Sequence, residues 1–155
     1  MITAPHLHAM VIHFPIALLI AGFFSEIIAL FNKTQFFKSA SFYLLLLGTM
    51  GVIVAYWSGN YAGDGMTDGL LQGPMELHED AALVTLWLAI LTTLSRASMQ
   101  HFNYQKAWAH WSAFLMFAVL IGYVARTGYL GGQLVFKHGA GIELVLPDFE
   151  NQPQN

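Results

Sequence analysis

The sequence contains no cysteine, and this absence excludes several kinds of chemistry. Disulfides, thiolate metal ligands, cysteine-bound iron–sulfur clusters and the covalent attachment of c-type haem all require cysteine. Any metal chemistry must therefore rest on histidine, methionine, carboxylates or a cofactor held without a covalent bond. The sequence also has no serine or threonine in a recognisable nucleophile elbow and no phosphate-binding glycine loop. No residue is assigned a catalytic role on these grounds.

Charge is also scarce. Charged residues make up 10% of the 155 positions, whereas an ordinary soluble domain has roughly 25%. The six Lys and Arg residues are outnumbered by nine Asp and Glu residues, so no basic patch suggests a nucleic-acid partner. Hydrophobic residues account for 56% of the chain, more apolar surface than a core of this size can bury. We therefore predict a single integral domain, residues 1–155, in a lipid bilayer.

Four apolar runs are long enough to cross a membrane, for which a helix needs about 20 residues. The predicted spans cover about residues 11–31, 40–58, 79–97 and 108–126, which makes the expected fold an all-α bundle of four transmembrane helices. The first helix begins either at Pro15 or near Pro5, and in the second case Pro15 lies inside it. Between and after the spans, Gly59–Leu77 and Gly128–Gly139 mix glycine with apolar residues. We expect this loop and this tail to cover one end of the bundle.

Basic residues indicate the orientation. Four of the six Lys and Arg residues stand in the two short turns, at Lys33, Lys38, Arg96 and Lys106. The positive-inside rule places these turns in the cytoplasm, so both termini and the long loop are expected outside. Glu26 is the one acidic residue on the inner side, and it is expected either to reach the inner interface or to pair with Arg96.

Histidines gather at the outer side, although they come from separate regions of the chain. Five of the seven are expected there: His6, His8, His13, His78 and His138. An imidazole near hydrocarbon is costly without a partner, and it is also the commonest metal ligand. We therefore predict a metal site formed by His8, His13, His78 and His138.

The preferred hypothesis for this site is haem b. Helical membrane bundles hold haem between facing helices, and His13 and His78 could supply the two axial imidazoles. Arg126 could hold a haem carboxylate, because a guanidinium matches that geometry. A set of aromatic residues could wall the pocket: Phe14, Tyr56, Trp57 and Tyr61. The function would be electron transfer at the outer face, as a subunit of a respiratory complex with cytochrome or other respiratory partners.

Two alternatives remain open. The first is a histidine-bound copper or zinc site, and neighbouring thioethers at Met10, Met66 or Met75 would favour copper. The second is a cofactor-free structural anchor whose histidines only hydrogen-bond the loops. Cofactor content separates the anchor from the other two hypotheses, and a visible spectrum separates haem from a bare ion.

These motifs resemble those of a bacterial family of small predicted membrane proteins of unknown function. The resemblance rests on His8, the His13-Phe14-Pro15 motif, His78 at the start of the third span, and the closing motif Leu130–Gly139 with His138. Ala9 and Phe136 replace a usual proline and tyrosine. The resemblance implies four helices and the bacterial inner membrane. Members often resemble accessory parts of respiratory and cytochrome-linked systems, which favours redox work.

Overall fold

The computed structural model describes residues 3–32, 34–64 and 69–141. Lys33, used above for orientation, and Met66, a candidate thioether ligand, lie outside these ranges. The described residues form four α-helices and one short 3₁₀ turn, Gly69–Leu71. The helices are α1 (Ala4–Phe31), α2 (Gln35–Gly63), α3 (Gln72–His101) and α4 (Ala107–His138). Each is long and apolar enough to cross a membrane, so the predicted four-helix, all-α architecture is confirmed.

The helices are longer than the apolar runs that predicted them. They contain 28 to 32 residues, which correspond to about 42–48 Å at about 1.5 Å per residue. The hydrocarbon core is only about 30 Å thick, so the helix ends extend beyond it. Of the two predicted starts for α1, the earlier one is right: the helix begins at Ala4 with Pro5 in its first turn, and Pro15 lies buried inside it.

The loop and the tail differ from the expectation, because most of their residues are helical. The predicted loop Gly59–Leu77 shrinks to a short connection, since α2 continues to Gly63 and α3 begins at Gln72. The tail does not fold back at Gly128, because α4 continues through it to His138. The reversal comes at Gly139, whose φ of 67° is left-handed, a conformation that glycine adopts at little cost. Gly141 then lies against Pro5 at the start of α1, where an added Cβ would stand 3.2 Å from the proline Cβ.

The bundle consists of two helix hairpins. α1 packs along α2 and α3 along α4, and each of these contacts is more extensive than those between the hairpins. Between the hairpins, α2 touches α3, while α1 touches α4 over the smallest contact. Within the described residues, α1 and α3 occupy one diagonal of the bundle, and α2 and α4 the other. The α1–α4 boundary is therefore the loosest in the bundle.

Glycine allows α1 and α2 to approach closely. A Cβ on Gly48 would stand 2.7 Å from Leu19 Cδ2, and a Cβ on Gly51 would stand 3.0 Å from Pro15 Cβ. Small residues at such contacts let backbones approach and gain dispersion energy, which is a main source of helix association in lipid. These contacts fix the register of α2 along α1, and with it the side of α1 that faces the interior.

The middle of the bundle contains mainly apolar side chains, whereas one end contains an ion pair. A cluster of buried apolar side chains occupies the middle, together with buried threonines such as Thr49 and Thr92. The cluster contains Leu19, Leu45, Val52, Ala89, Phe117, Leu120 and Val124. At one end, which we call the Arg96 end, Arg96 of α3 pairs with Glu26 of α1. Ser41 of α2 donates to the Glu26 Oε2 atom at 2.6 Å. The expected pairing of Glu26 with Arg96 is therefore confirmed, and it ties the two hairpins together.

Candidate functional site

His78 lies at the opposite end of the bundle, which we call the His8 end. Its Nδ1 atom is 3.1 Å from the backbone oxygen of Thr127 on α4. A carbonyl oxygen only accepts, so Nδ1 must carry the proton and donate it. The ring lies on Gly131, where an added Cβ would stand 3.0 Å from the His78 Cε1 atom. The ring is therefore oriented by α4, and the unprotonated Nε2 atom keeps its lone pair.

His8 of α1 is held in the same manner by α2. Its Nδ1 atom is 3.0 Å from the Ser58 hydroxyl oxygen, and that hydroxyl donates its only proton to the Ala55 backbone oxygen, also at 3.0 Å. Ser58 must therefore accept, and His8 donates through Nδ1. The ring lies on Gly59, where an added Cβ would stand 2.9 Å from the His8 Cε1 atom. The lone pair of His8 is again on Nε2.

The two histidines come from different hairpins and lie at the same end of the bundle, near the starts of α1 and α3. Both are half-buried. Within the described residues, neither Nε2 atom has a hydrogen-bond partner. An imidazole that donates through Nδ1 and offers Nε2 is the usual form of a metal-bound histidine, because the second-shell hydrogen bond fixes the ring. The arrangement is therefore suited to a metal centre between the hairpins.

Two threonines support the stretch of α4 that holds His78. The Thr85 hydroxyl of α3 donates to the Ala81 backbone oxygen at 2.8 Å, so it accepts from the Thr127 hydroxyl at 2.9 Å. Thr127 thus contacts α3 twice, through its backbone oxygen on His78 and its hydroxyl on Thr85. These two bonds fix the position of α4 relative to α3 beside the imidazole.

The other predicted site residues lie on the outside of the bundle. His13 is exposed, and its Nδ1 atom is 2.6 Å from the Ala9 backbone oxygen of its own helix. Arg126 is exposed, with its guanidinium carbon 5.7 Å from the centre of the Tyr123 ring. His138 is the exposed last residue of α4. Three of the four aromatic residues expected to wall a pocket are also exposed: Phe14, Trp57 and Tyr61.

The structure therefore packs His8, and not His13, into the end of the bundle that holds His78. The sequence contains a signal for this pairing, because the step Leu-His occurs at Leu7-His8 and again at Leu77-His78. Among the described residues, no three His, Asp or Glu side chains are grouped as a metal site. The candidate site consists of two half-buried imidazoles at one end of the bundle, each fixed by its own hairpin.

A cavity of about 380 Å³ lies far from these histidines, at the Arg96 end. It opens between the end of α3 and the start of α4, beside Met99, Tyr104 and Trp108. A cavity lined by apolar side chains is often the default candidate for a binding site. Here we prefer the His8 end, because the cavity lining includes no acidic, basic or histidine side chain.

The fold and the site together define a multi-pass membrane protein, a four-helix bundle with two half-buried histidines, one from each hairpin, at one end. The chain belongs to the family described as "Predicted membrane protein (DUF2231)", whose model matches residues 4–144. The resemblance inferred from the motifs is thereby confirmed. No curated protein and no solved structure matches the chain.

Proposed function

We propose that this protein binds one haem b between His8 and His78 and carries electrons at one face of the membrane. The observation that carries the proposal is that the two imidazoles have the same protonation and hydrogen-bonding pattern. Each donates through Nδ1 to the neighbouring helix, and each offers a free Nε2 atom. Because the two rings come from different hairpins, a ligand between them would be held from both sides, as haem is held in helical membrane bundles.

The size of the ligand set supports haem over a bare ion. Zinc and copper sites usually use three or four protein ligands, but no group of three His, Asp or Glu side chains is found among the described residues. Haem iron takes four nitrogens from the porphyrin and needs only two more ligands. The sparse contact between α1 and α4 also supports a planar group between the hairpins, since these helices can separate without loss of the main interfaces.

The residues of the chain would hold and tune this group. Haem, when bound, supplies one-electron redox chemistry. The Ser58 hydroxyl and the Thr127 carbonyl accept hydrogen bonds from His8 and His78, which makes Nε2 a stronger electron donor to a metal. The apolar middle of the bundle keeps water from passing between the site and the Arg96 end. Arg126 lies on the outside of the bundle, so its expected contact with a haem carboxylate has no support from its position.

The membrane orientation is part of the same proposal. Arg96, Lys38 and Lys106 lie at one end of the bundle, and the positive-inside rule makes that end cytoplasmic. In the bacterial inner membrane, His8, His78 and both termini would then face the outside. Electrons would pass to and from cytochrome or other respiratory subunits at that face.

An absorption spectrum with matched variants tests the proposal. We expect protein purified in mild detergent from haem-supplied cells to show a sharp reduced α-band, at one haem per chain. His8→Ala and His78→Ala should each lose the band. His13→Ala should keep it, because His13 faces outward, and so should His110→Ala at the Arg96 end. A wild-type protein without the band would contradict the proposal.

A copper site is the second candidate, and the position of Met75 favours it. Met75 is buried and stands three residues before His78 on α3, so both side chains lie on neighbouring positions of one helix face. A thioether beside imidazoles suits Cu(I). Stoichiometric copper that is lost in Met75→Leu, without a haem band, would support this candidate. A wild-type protein free of both haem and metal would leave the structural anchor.

A further inference from the structure

Two residue pairs, each with one member on α1 and one on α3, have the same separation in the sequence. Glu26 and Arg96, which pair at one end, are 70 positions apart. His8 and His78, which both lie at the opposite end, are also 70 positions apart, from 8 to 78. The number of sequence positions between partners is expected to be the same in both pairs if α1 and α3 are equivalent helices that run in the same direction.

The buried residues of α1 show the same separation from three of the six buried residues of α3. The three buried residues of α1 are Pro15, Leu19 and Gly22, and the residues 70 positions later, Thr85, Ala89 and Thr92, are buried in α3.

For α2 and α4 the separation is 72, as between Gly59 and Gly131. Five of the seven buried residues of α2 then match buried residues of α4, namely Ser41, Leu45, Gly48, Val52 and Ala62 with Ala113, Phe117, Leu120, Val124 and Leu134. Helical periodicity alone would align buried positions at several separations. The histidines and the ion pair independently give 70 for α1 and α3, and the glycines give 72 for α2 and α4.

The two hairpins also have the same residue type, glycine, beneath each histidine ring. His8 lies on Gly59 with an added Cβ at 2.9 Å, and His78 lies on Gly131 with one at 3.0 Å. In each hairpin, the first helix supplies the histidine and the second supplies both the glycine and the acceptor for Nδ1.

We infer that the bundle is two copies of one helix hairpin, related by an approximate two-fold axis along its length, and that His8 and His78 are equivalent ligands of one group on this axis. The second half of this inference rests on the proposed function. A group on the axis must accept an imidazole on each of two opposite sides, as the iron of a haem does. Gly59 and Gly131 are then equivalent positioning residues, because each leaves room for a ligand ring.

At the Arg96 end, the two equivalent positions 26 and 96 carry side chains of opposite charge. Two identical charges that face each other in a buried site repel, whereas a carboxylate and a guanidinium pair. Glu26 and Arg96 satisfy this requirement, and the surroundings have adapted to it. Ser41 donates to Glu26, and its counterpart 72 positions later is Ala113, which needs no hydroxyl beside a guanidinium.

Glycine variants test the equivalence of the two ligands. Gly59→Ala and Gly131→Ala should each lose most of the bound haem, to a similar extent, because the added methyl group displaces the ring. Gly132→Ala is the matched control and should keep it, since an added Cβ there meets nothing within 4 Å. Thermal unfolding of each variant separates loss of the ligand from loss of the fold. Loss of haem in only one folded variant would overturn the equivalence.

A charge exchange tests the duplication without any cofactor. Glu26→Arg with Arg96→Glu should recover much of the unfolding temperature lost in either single variant. Adding Ser41→Ala and Ala113→Ser should raise it further, because the serine would again stand beside the carboxylate, now at position 96. If the added pair gives no gain, the duplication is wrong. If the added pair raises the unfolding temperature but the wild-type protein holds no haem, the duplication stands and the proposed function fails.

Discussion

Arg96 of α3 donates two hydrogen bonds to the Glu26 carboxylate of α1, at 2.5 Å to Oε1 and 2.7 Å to Oε2. Both side chains are only 12% exposed. The pair joins the two hairpins at the end opposite His8 and His78. Among residues 3–32, 34–64 and 69–141, the bundle thus has an ion pair at one end and two imidazole nitrogens without a hydrogen-bond partner at the other.

Removal of one partner of this pair should be strongly destabilising. Arg96→Ala leaves the Glu26 carboxylate buried with only Ser41 as a partner, and such losses cost about 3–5 kcal/mol. Arg96→Lys should recover part of this, because an ammonium keeps the charge but not the two-pronged geometry. Thermal unfolding in detergent measures both effects. If Arg96→Ala unfolds at the same midpoint temperature as the wild type, the ion pair does not contribute to stability.

The close contact between α1 and α2 makes a second prediction about stability. Gly51→Ala should lower the unfolding midpoint, because the new Cβ meets the rigid Pro15 ring at 3.0 Å. Gly122→Ala is the control, since its added Cβ meets nothing within 4 Å. That change should be neutral or stabilising by up to about 1 kcal/mol, from helix propensity. The packing account fails if the two variants shift the midpoint equally.

The orientation can be tested by cysteine labelling, for which the absence of native cysteine is convenient. Gln35→Cys and Tyr104→Cys place single thiols at the Arg96 end of the bundle. A membrane-impermeant maleimide should not label either one in intact spheroplasts, but should label both after the membrane is opened. Labelling of either site before the membrane is opened would reverse or break the proposed topology.

The hydrogen bond from His8 to Ser58 should matter for ligand affinity. Ser58→Ala removes the acceptor of the Nδ1 proton, and loss of such a second-shell partner typically costs about 10–100-fold in metal affinity. Ser112→Ala is the matched control, because in the described part of the chain that hydroxyl bonds the Ala109 carbonyl of its own helix and no histidine. Haem titration of the two variants compares them directly. Equal affinities would mean that Ser58 does not orient a ligand.

The sequence predicted the four helices because four apolar runs of sufficient length dominate it, and it predicted the gathering of histidines because topology follows from the runs. It misplaced helix ends, since polar residues continue a helix beyond the hydrocarbon without any apolar signal. It also took glycines such as Gly128 and Gly132 as a break, although glycine is tolerated in membrane helices.

The choice between His8 and His13 needed information that the apolar runs do not contain. The two residues are five apart, so on a helix they point about 140° away from each other at about 100° per residue. Only one of them can face the interior. His8 shares its face with Pro15 and Gly22, at intervals of seven, and the contact between Pro15 and Gly51 turns that face toward α2.

The ligation state of ferric iron tests the central claim most directly. Two axial imidazoles produce a low-spin ferric haem, so electron paramagnetic resonance of the oxidised wild-type protein should show a low-spin signal. His8→Ala and His78→Ala should each replace it with a high-spin signal or lose the haem, while His13→Ala should leave it unchanged. A high-spin wild type, or a low-spin signal that survives in either His8→Ala or His78→Ala, would contradict a haem held between these two residues.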